Sequence, residues 1–460
     1  MAYWGAKKLS IPNKNPPFSL GDGENTAIPA FEIKKSEASY SRNTSSRNYP
    51  ALSVCPGRSN AFGAISVPNA YGVRANQYPH FLDGSVWKRW DGAALQTVQS
   101  GLANVRGRFI DFVTEAKVFT VLMNGSDKKA WDGSSVIDLT EAPVTRLVTN
   151  DDYRLYALKD NTIYNSAEGS CTNWDTGLYP NDANKITVTS MKGPGTAIVA
   201  SNGVKIIWSE QSMHLLYGHD PYDQEFGPDF DDGCISDFAV IDFGGVVYFL
   251  DYGAFKAFSG GKPTEISQKV KKYLDGINKA YRSKCVAGKS GKYIYLAVPY
   301  GSAVTNNLIL EYDTELGNWY PQTGDVVDFV NIGEALYGIS STGQPIQLNS
   351  GPDFYGTAIP WEHTTGVYWG NVFNKKVVSD LYAILDLQAG STLNVYANTS
   401  INGGSFDLLY TFTASAEVQN IRIKIPTTKL QNIDWYRLKF SGTGPCTIHY
   451  VGPEERIKPR

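Results

Sequence analysis

From about residue 78 the chain repeats one pattern: a short apolar strand, a polar turn, then an aromatic or apolar anchor that often precedes a glycine turn. The strands are YPHFL (78–82), VFTVL (118–122), RLYAL (154–158), TAIVA (196–200), VVYFL (246–250), YIYLAV (293–298) and ALYGI (335–339). Their anchors are Trp90, Trp131, Tyr164, Trp208, Phe258, Tyr312 and Leu348. Six of the seven strand-to-anchor offsets lie between 10 and 13 residues, and the outlier, the sixth unit, carries an insertion, PYGSAVTNN (299–307). The mean anchor spacing of 43 residues falls in the range of propeller blades, roughly 40–50. One four-stranded blade cannot bury both of its faces, whereas a ring of blades can. The repeat therefore predicts a β-propeller of six or seven degenerate blades over residues 60–356, with the anchors filling the wedges between blades. The competing fold is a multi-hairpin sandwich without cyclic closure. The clearest pair of units is KRWDGAALQTV (88–98) and KAWDGSSVIDL (129–139), where a strand ends at Trp-Asp-Gly, turns and returns with alternating apolar residues.

Beyond residue 357 the repeat stops and alternation marks six short strands: 380–387, 391–400, 406–413, 420–426, 434–442 and 446–452. That spacing predicts a C-terminal β-sandwich or jelly-roll-like domain over 357–460, with the charged tail EERIKPR solvated. Residues 1–59 are rich in Pro, Ser, Asn and Lys and read as an extended arm draped over the molecule or a neighbour. One segment breaks the β pattern. In TEISQKVKKYLDGINKA (264–280), Ile266, Val270, Leu274 and Ile277 follow helical spacing, which predicts a connecting helix on the rim. With aromatics at 13% and 44 glycines, composition agrees with an all-β chain.

A search for chemistry nominates no catalytic, cofactor-binding or metal-ligating residue. GKS (288–290) has Ser283 where a phosphate loop needs its first glycine, and a strand follows rather than a helix. GISSTG (338–343) misses the spacing of a nucleophile elbow. His214 and His219 are five residues apart, a poor metal pair on either a strand or a helix. The acidic run from Asp220 to Asp232 lacks the calcium-loop frame and reads as a solvated inter-blade loop. SAEGSCTNW (166–174) is a degenerate form of a sialidase turn motif, with Trp174 one place late. The five cysteines are widely spaced and read as small buried hydrophobes in a reducing cytosol. The N-terminus MAYWGAKKLSIPNKNPP has no apolar run suited to a signal peptide, and no membrane span is expected. A net charge of −3 supplies no global field for nucleic acid or an anionic membrane, which excludes little, because a channel that lets DNA slide should itself avoid tight phosphate contacts.

Three pieces of the chain resemble the tail nozzle, or tail-hub (tail stabilisation), proteins of short-tailed bacteriophages. These are SRNTSSRNYPALSVCPGRS (41–59), with Cys55 where arginine is usual, the strand–turn–WDG unit, and the terminal domain with its S-x-L-x-V-Y strand (391–396), NGG turn and closing GTGPCTIHYVG (442–452). The resemblance implies a non-enzymatic virion protein without cofactors, assembled in the host cytoplasm. It implies a cyclic homo-oligomer, typically a hexamer, below the portal or head-to-tail adaptor. Genome DNA would pass through the lumen without sequence-specific binding during ejection. Tail fibre or tip proteins would attach to the ring, and the host surface is a further contact. Two other classes stand beside it: a glycan- or receptor-binding tail module, and a propeller glycosidase or depolymerase, for which no carboxylate pair can be nominated by spacing.

Overall fold

The structure, a computed structural model, describes residues 12–14, 17–75, 77–151, 153–177, 179–369, 374–400 and 404–457. The chain divides into two compact units. One comprises residues 1–59, 311–323 and 349–460; the other comprises 60–310 and 324–348.

The second unit is a seven-bladed β-propeller. The innermost strands of its blades are Pro68–Arg74, Arg108–Val113, Leu147–Asp151, Gly195–Ser201, Val240–Phe243, Val286–Ser290 and Asp328–Ile332. The first six each open a four-stranded antiparallel sheet in which strands follow chain order, whereas the sheet of the seventh also takes in Arg58–Asn60, out of chain order. The boundary between the units crosses the sixth sheet, at Leu310 and Glu311. The inner strands touch one another in an unbroken cycle, that of blade 7 meeting that of blade 1. This closure excludes the open sandwich. Two hydrogen bonds reinforce it, from Ala61 N to Pro345 O and from Ile65 N to Gly343 O, both 2.9 Å.

Neighbouring inner strands approach so closely that glycine is required at one contact: a Cβ on Gly72 would lie 2.2 Å from Phe109 Cβ. Trp131 and Trp208 fill wedges between blades. Trp131 packs with Leu82, Trp87 and Leu122 of blades 1 and 2, and Trp208 meets Phe249 of blade 5 at 5.3 Å between centroids. The two WDG turns share one local cause. Asp91 Oδ1 accepts from Ala93 N and Ala94 N at 2.9 and 2.8 Å, and Asp132 Oδ1 accepts from Ser134 N and Ser135 N at the same distances.

Two details differ from expectation. In six units the repeated strand is the second of its blade, but TAIVA lies in the innermost strand of blade 4 and Trp208 in the second. That inner strand is apolar along most of its length, so hydropathy cannot distinguish it from a second strand. The segment 264–280 contains only one short α-helix, Lys271–Asp275, between 3-10 turns at Gln268–Val270 and Lys279–Lys284. Gly276 and the Asn278 cap interrupt it. Val270, Leu274 and Ile277 are nevertheless buried.

In the first unit all six expected strands form, and two sheets enclose a shared core. Lys376–Leu387 alternates buried and half-buried residues, sending Leu381, Ala383, Leu385 and Leu387 inward to meet Leu393, Val395, Leu438 and Phe440 of the other sheet. Cys446–Ile457 is one long strand, so EERI is structured, and Glu455 is buried where it accepts from Tyr436 OH at 2.9 Å. Residues 1–11 and 458–460, and most of the NGG turn, lie outside the described residues.

The expected arm is instead part of this unit. Pro12–Lys14 and Leu52–Val54 pair with Cys446–Ile457, and Ala38–Arg42 pairs with Pro360–Thr365. Leu20 and Leu52 enter its core. The polar residues that suggested exposure are buried because they have partners. Asn43 Oδ1 accepts from Thr323 N at 2.7 Å, and Ser45 Oγ donates to Glu311 Oε1 at 2.6 Å. Gln322 Nε2 donates to the other Glu311 oxygen at 3.0 Å, while Arg58 donates to Thr323 O at 2.6 Å and Gln322 Oε1 at 3.1 Å.

Candidate functional site at the axial mouth

Each blade with four antiparallel strands returns the chain to the end at which it began. All inner strands therefore start at the same mouth of the propeller axis, and the connections before them converge there. Two of those connections make chords between non-adjacent blades. Arg106, before blade 2, donates from Nη1 to Ser283 O at 3.1 Å and from Nη2 to Val327 O at 3.0 Å, reaching blades 6 and 7. Arg146, before blade 3, grips Asp237, before blade 5, through Nε and Nη2 at 3.1 and 3.2 Å.

Asp237 and Phe238 sit on a 3-10 turn, Asp237–Ala239. Ser236 fastens this turn to blade 6 by donating to Ser283 O and Cys285 O at 3.0 and 2.8 Å. Three guanidinium groups surround the Phe238 ring: Arg106 at 3.6 Å from the centroid, Arg108 at 4.8 Å and Arg146 at 6.0 Å. Arg108 also donates to the Asp237 carbonyl and lies 3.8 Å from its carboxylate. Burial pushes the Asp328 carboxyl up to about 6, against the pull of Arg106 and Arg108.

Beside this cluster lies a groove of about 570 Å³ with a floor of Ile235, Leu274 and Ile277, a size typical of small-molecule sites. One wall is Tyr252, whose hydroxyl donates to Glu210 Oε2 at 2.9 Å. Arg282 lies 4.2 Å over the Tyr252 ring and donates to Glu210 Oε1 at 3.2 Å.

The residues singled out in the sequence are not brought together at this mouth. His214 is buried and pairs with Asp229, whereas His219 is partly exposed and lies 3.7 Å from Asp151. The acidic loop is distributed among separate partners: Asp220 to Arg154, Asp231 to Lys192 and Asp232 to Lys256. Among the described residues no group of three His, Cys, Asp or Glu side chains could hold a metal ion. The degenerate sialidase motif is a compact turn in which Trp174 Nε1 donates to Cys171 O at 2.9 Å. All five cysteines are buried and unpaired, and burial pushes the Cys55, Cys234 and Cys285 thiols up to about 12.

Sequence reasoning missed a Ser–His–Asp line. Ser212 Oγ is 2.9 Å from His214 Nε2, and His214 Nδ1 is 2.7 Å from Asp229 Oδ1. A serine two residues before a histidine on a strand, followed by an acidic loop, was the available signal. The line does not form an exposed nucleophile, because Ser212 is 1% exposed and its oxygen accepts from Lys192 N at 3.1 Å. It pins a turn.

No known protein family matches the chain, and no curated protein matches it. Among solved structures, the extracellular domain of a putative hybrid two-component system from B. thetaiotaomicron is 12% identical over 80% of this chain and 49% of that one, with a TM-score of 0.47. The extracellular domain of a putative one-component system from the same organism is 9% identical over 63% of this chain and 40% of that one, at 0.46. A streptogramin B lyase is 9% identical over 63% of this chain and 96% of that one, at 0.44. The chain thus spans less than half of the two B. thetaiotaomicron chains. At these values likeness says nothing of function, and the propeller rests on its own closed cycle of strands. No helix among the described residues is long and apolar enough to cross a membrane.

Proposed function

We propose that the chain is a non-enzymatic structural subunit of a bacteriophage tail. It assembles as a ring, of six copies, that extends the DNA channel below the portal or adaptor and carries fibres or tip proteins. The observation that supports this reading concerns residues 41–59, the longest piece of the resemblance to tail nozzle proteins. Ser41, Asn43, Thr44, Ser45, Ser46 and Arg58 are all buried. Glu311, the partner of Ser45, and Gln322, a partner of Arg58, are buried as well. Fully satisfied buried polar networks specify one fold. The piece that carries the resemblance is thus built into the buried part of its unit. Mass photometry and cryo-EM of the purified chain, alone and mixed with tail proteins, test the reading. A closed ring that joins tails is the expected result; a monomer that never associates, and is missing from purified particles, overturns it.

A second reading, a glycan- or receptor-binding tail module, is favoured by the groove between Tyr252 and the Ile235–Leu274–Ile277 floor. Saturable binding to host glycans that is lost in Tyr252→Ala would support it.

A further inference from the structure

We propose that the axial mouth of the propeller is a seat for an oxyanion, carboxylate or phosphate, held by the side chains of Arg108 and Arg146 with Arg106 beneath them.

Three observations carry the proposal. The first is charge. Among the described residues, the three guanidinium groups gathered on Phe238 have Asp237 as their ion-pair partner at Arg108 and Arg146, with Asp237 and Asp328 acting on Arg106. The second is unused donors. Arg108 Nε is buried and meets no acceptor. Among the described residues, Nη1 of Arg108 and Nη1 of Arg146 donate to no protein group. Nε is enclosed, so the two Nη1 groups are the donors that a ligand oxygen can take up. The third is access. Arg106 is committed to two backbone carbonyls, but the Arg108 and Arg146 side chains are 26% and 38% exposed, so both are open to solvent in part. The arrangement is also held rigidly. Asp237 fixes one edge of Arg146 and Ser236 anchors the turn that carries Asp237, leaving the second edge of a planar fork presented outward. The partly desolvated position of Asp328, whose carboxyl is pushed up to about 6, further weakens the negative side of the balance. Carboxylate and phosphate share the recognised chemistry, which could come from a small molecule or from an acidic group on a partner.

Calorimetric titration of the full chain with inorganic phosphate, and separately with acetate, at ionic strength held constant with chloride, tests the site. Saturable millimolar binding of at least one probe is expected, and the stronger probe identifies which anion chemistry, phosphate or carboxylate, the seat takes. Arg146→Gln should weaken binding at least tenfold, whereas Arg422→Gln, which lies in the other unit, should leave it unchanged. If Arg146→Gln fails to fold, Arg146→Lys keeps the charge and removes the fork, and should still weaken binding severalfold. Failure of both probes to saturate above chloride, or wild-type affinity in a folded Arg146 variant, overturns the proposal.

Discussion

His363 offers a sharp test of the energetics. It lies on Pro360–Thr365 opposite Ser41 and Phe440, is fully buried, and neither ring nitrogen has a hydrogen-bond partner. Burial lowers its folded pKa from 6.5 to about 3. A base whose folded pKa is depressed contributes full stability above its unfolded pKa, and that stability drains away as pH falls from 6.5 toward 3. At pH 5 the loss is about 2 kcal/mol, and well below pH 3 it approaches about 5 kcal/mol. His363→Leu removes both the titration and the two unpartnered nitrogens. At pH 7.5 the lost desolvation penalty, about 1–3 kcal/mol, outweighs a repacking cost of about 1 kcal/mol, so the variant should be at least as stable as the wild type. Its advantage should then widen by about 2 kcal/mol between pH 7.5 and pH 5. Urea unfolding at both pH values, with hydrogen-exchange mass spectrometry over 360–365 and 437–443 to assign the transition, measures the difference. Because carboxylates elsewhere titrate identically in both proteins, they cancel. A stability difference that does not change with pH, or a variant less stable by a constant amount, would refute the reasoning.

Another buried histidine predicts the opposite sign at pH 7.5. His80 Nδ1 accepts from Trp87 Nε1 at 2.9 Å, so His80→Phe strands a buried donor and should destabilise the propeller by about 1–3 kcal/mol in the same urea experiment. Gly72→Ala places a Cβ 2.2 Å from Phe109 and should cost about 1–3 kcal/mol; combined with Phe109→Ala it should cost less than the sum of the two single changes, as a double-mutant cycle would read. Asn43 has φ 57° and supplies the acceptor for Thr323 N, so Asn43→Ala loses both a tolerated left-handed conformation and a buried hydrogen bond. About 2–4 kcal/mol of destabilisation is expected by differential scanning calorimetry, confined to the transition of the first unit.

The propeller and the sandwich were legible because their signals are local. A WDG turn is closed by an aspartate on the amides two and three residues ahead, and a half-buried strand alternates whatever it faces. The arm was misread for the converse reason. Ser, Asn and Arg near residues 41–58 look solvated until Glu311, Gln322 and Thr323 are brought to them, and nothing in either segment announces the other. The one-strand shift in blade 4 has a similar origin. An inner strand flanked by two blades is as apolar as a second strand, so only pairing separates them. His363 was just a histidine among five, since its orphaned nitrogens depend on which two strands flank it.

The axial mouth was illegible in a stronger sense. Arg106, Arg146, Asp237 and Asp328 precede or begin four different blades, and no spacing relates them. Closure of the ring converts the starts of inner strands into neighbours, so any site there has to be assembled from single residues scattered at roughly one per blade. This separates two properties that the sequence could not. The buried network around Asn43 and Glu311 lies wholly in the first unit, and the arginine cluster lies wholly in the second. If the network serves only to specify its own unit, Asn43→Ala should leave phosphate or acetate affinity unchanged at temperatures below its first transition, while Arg146→Gln should lower affinity without moving that transition. Calorimetry and titration on the same two variants would establish whether stability of the first unit and ligand recognition are carried by different halves of the chain; a shift of both quantities in either variant would tie them together.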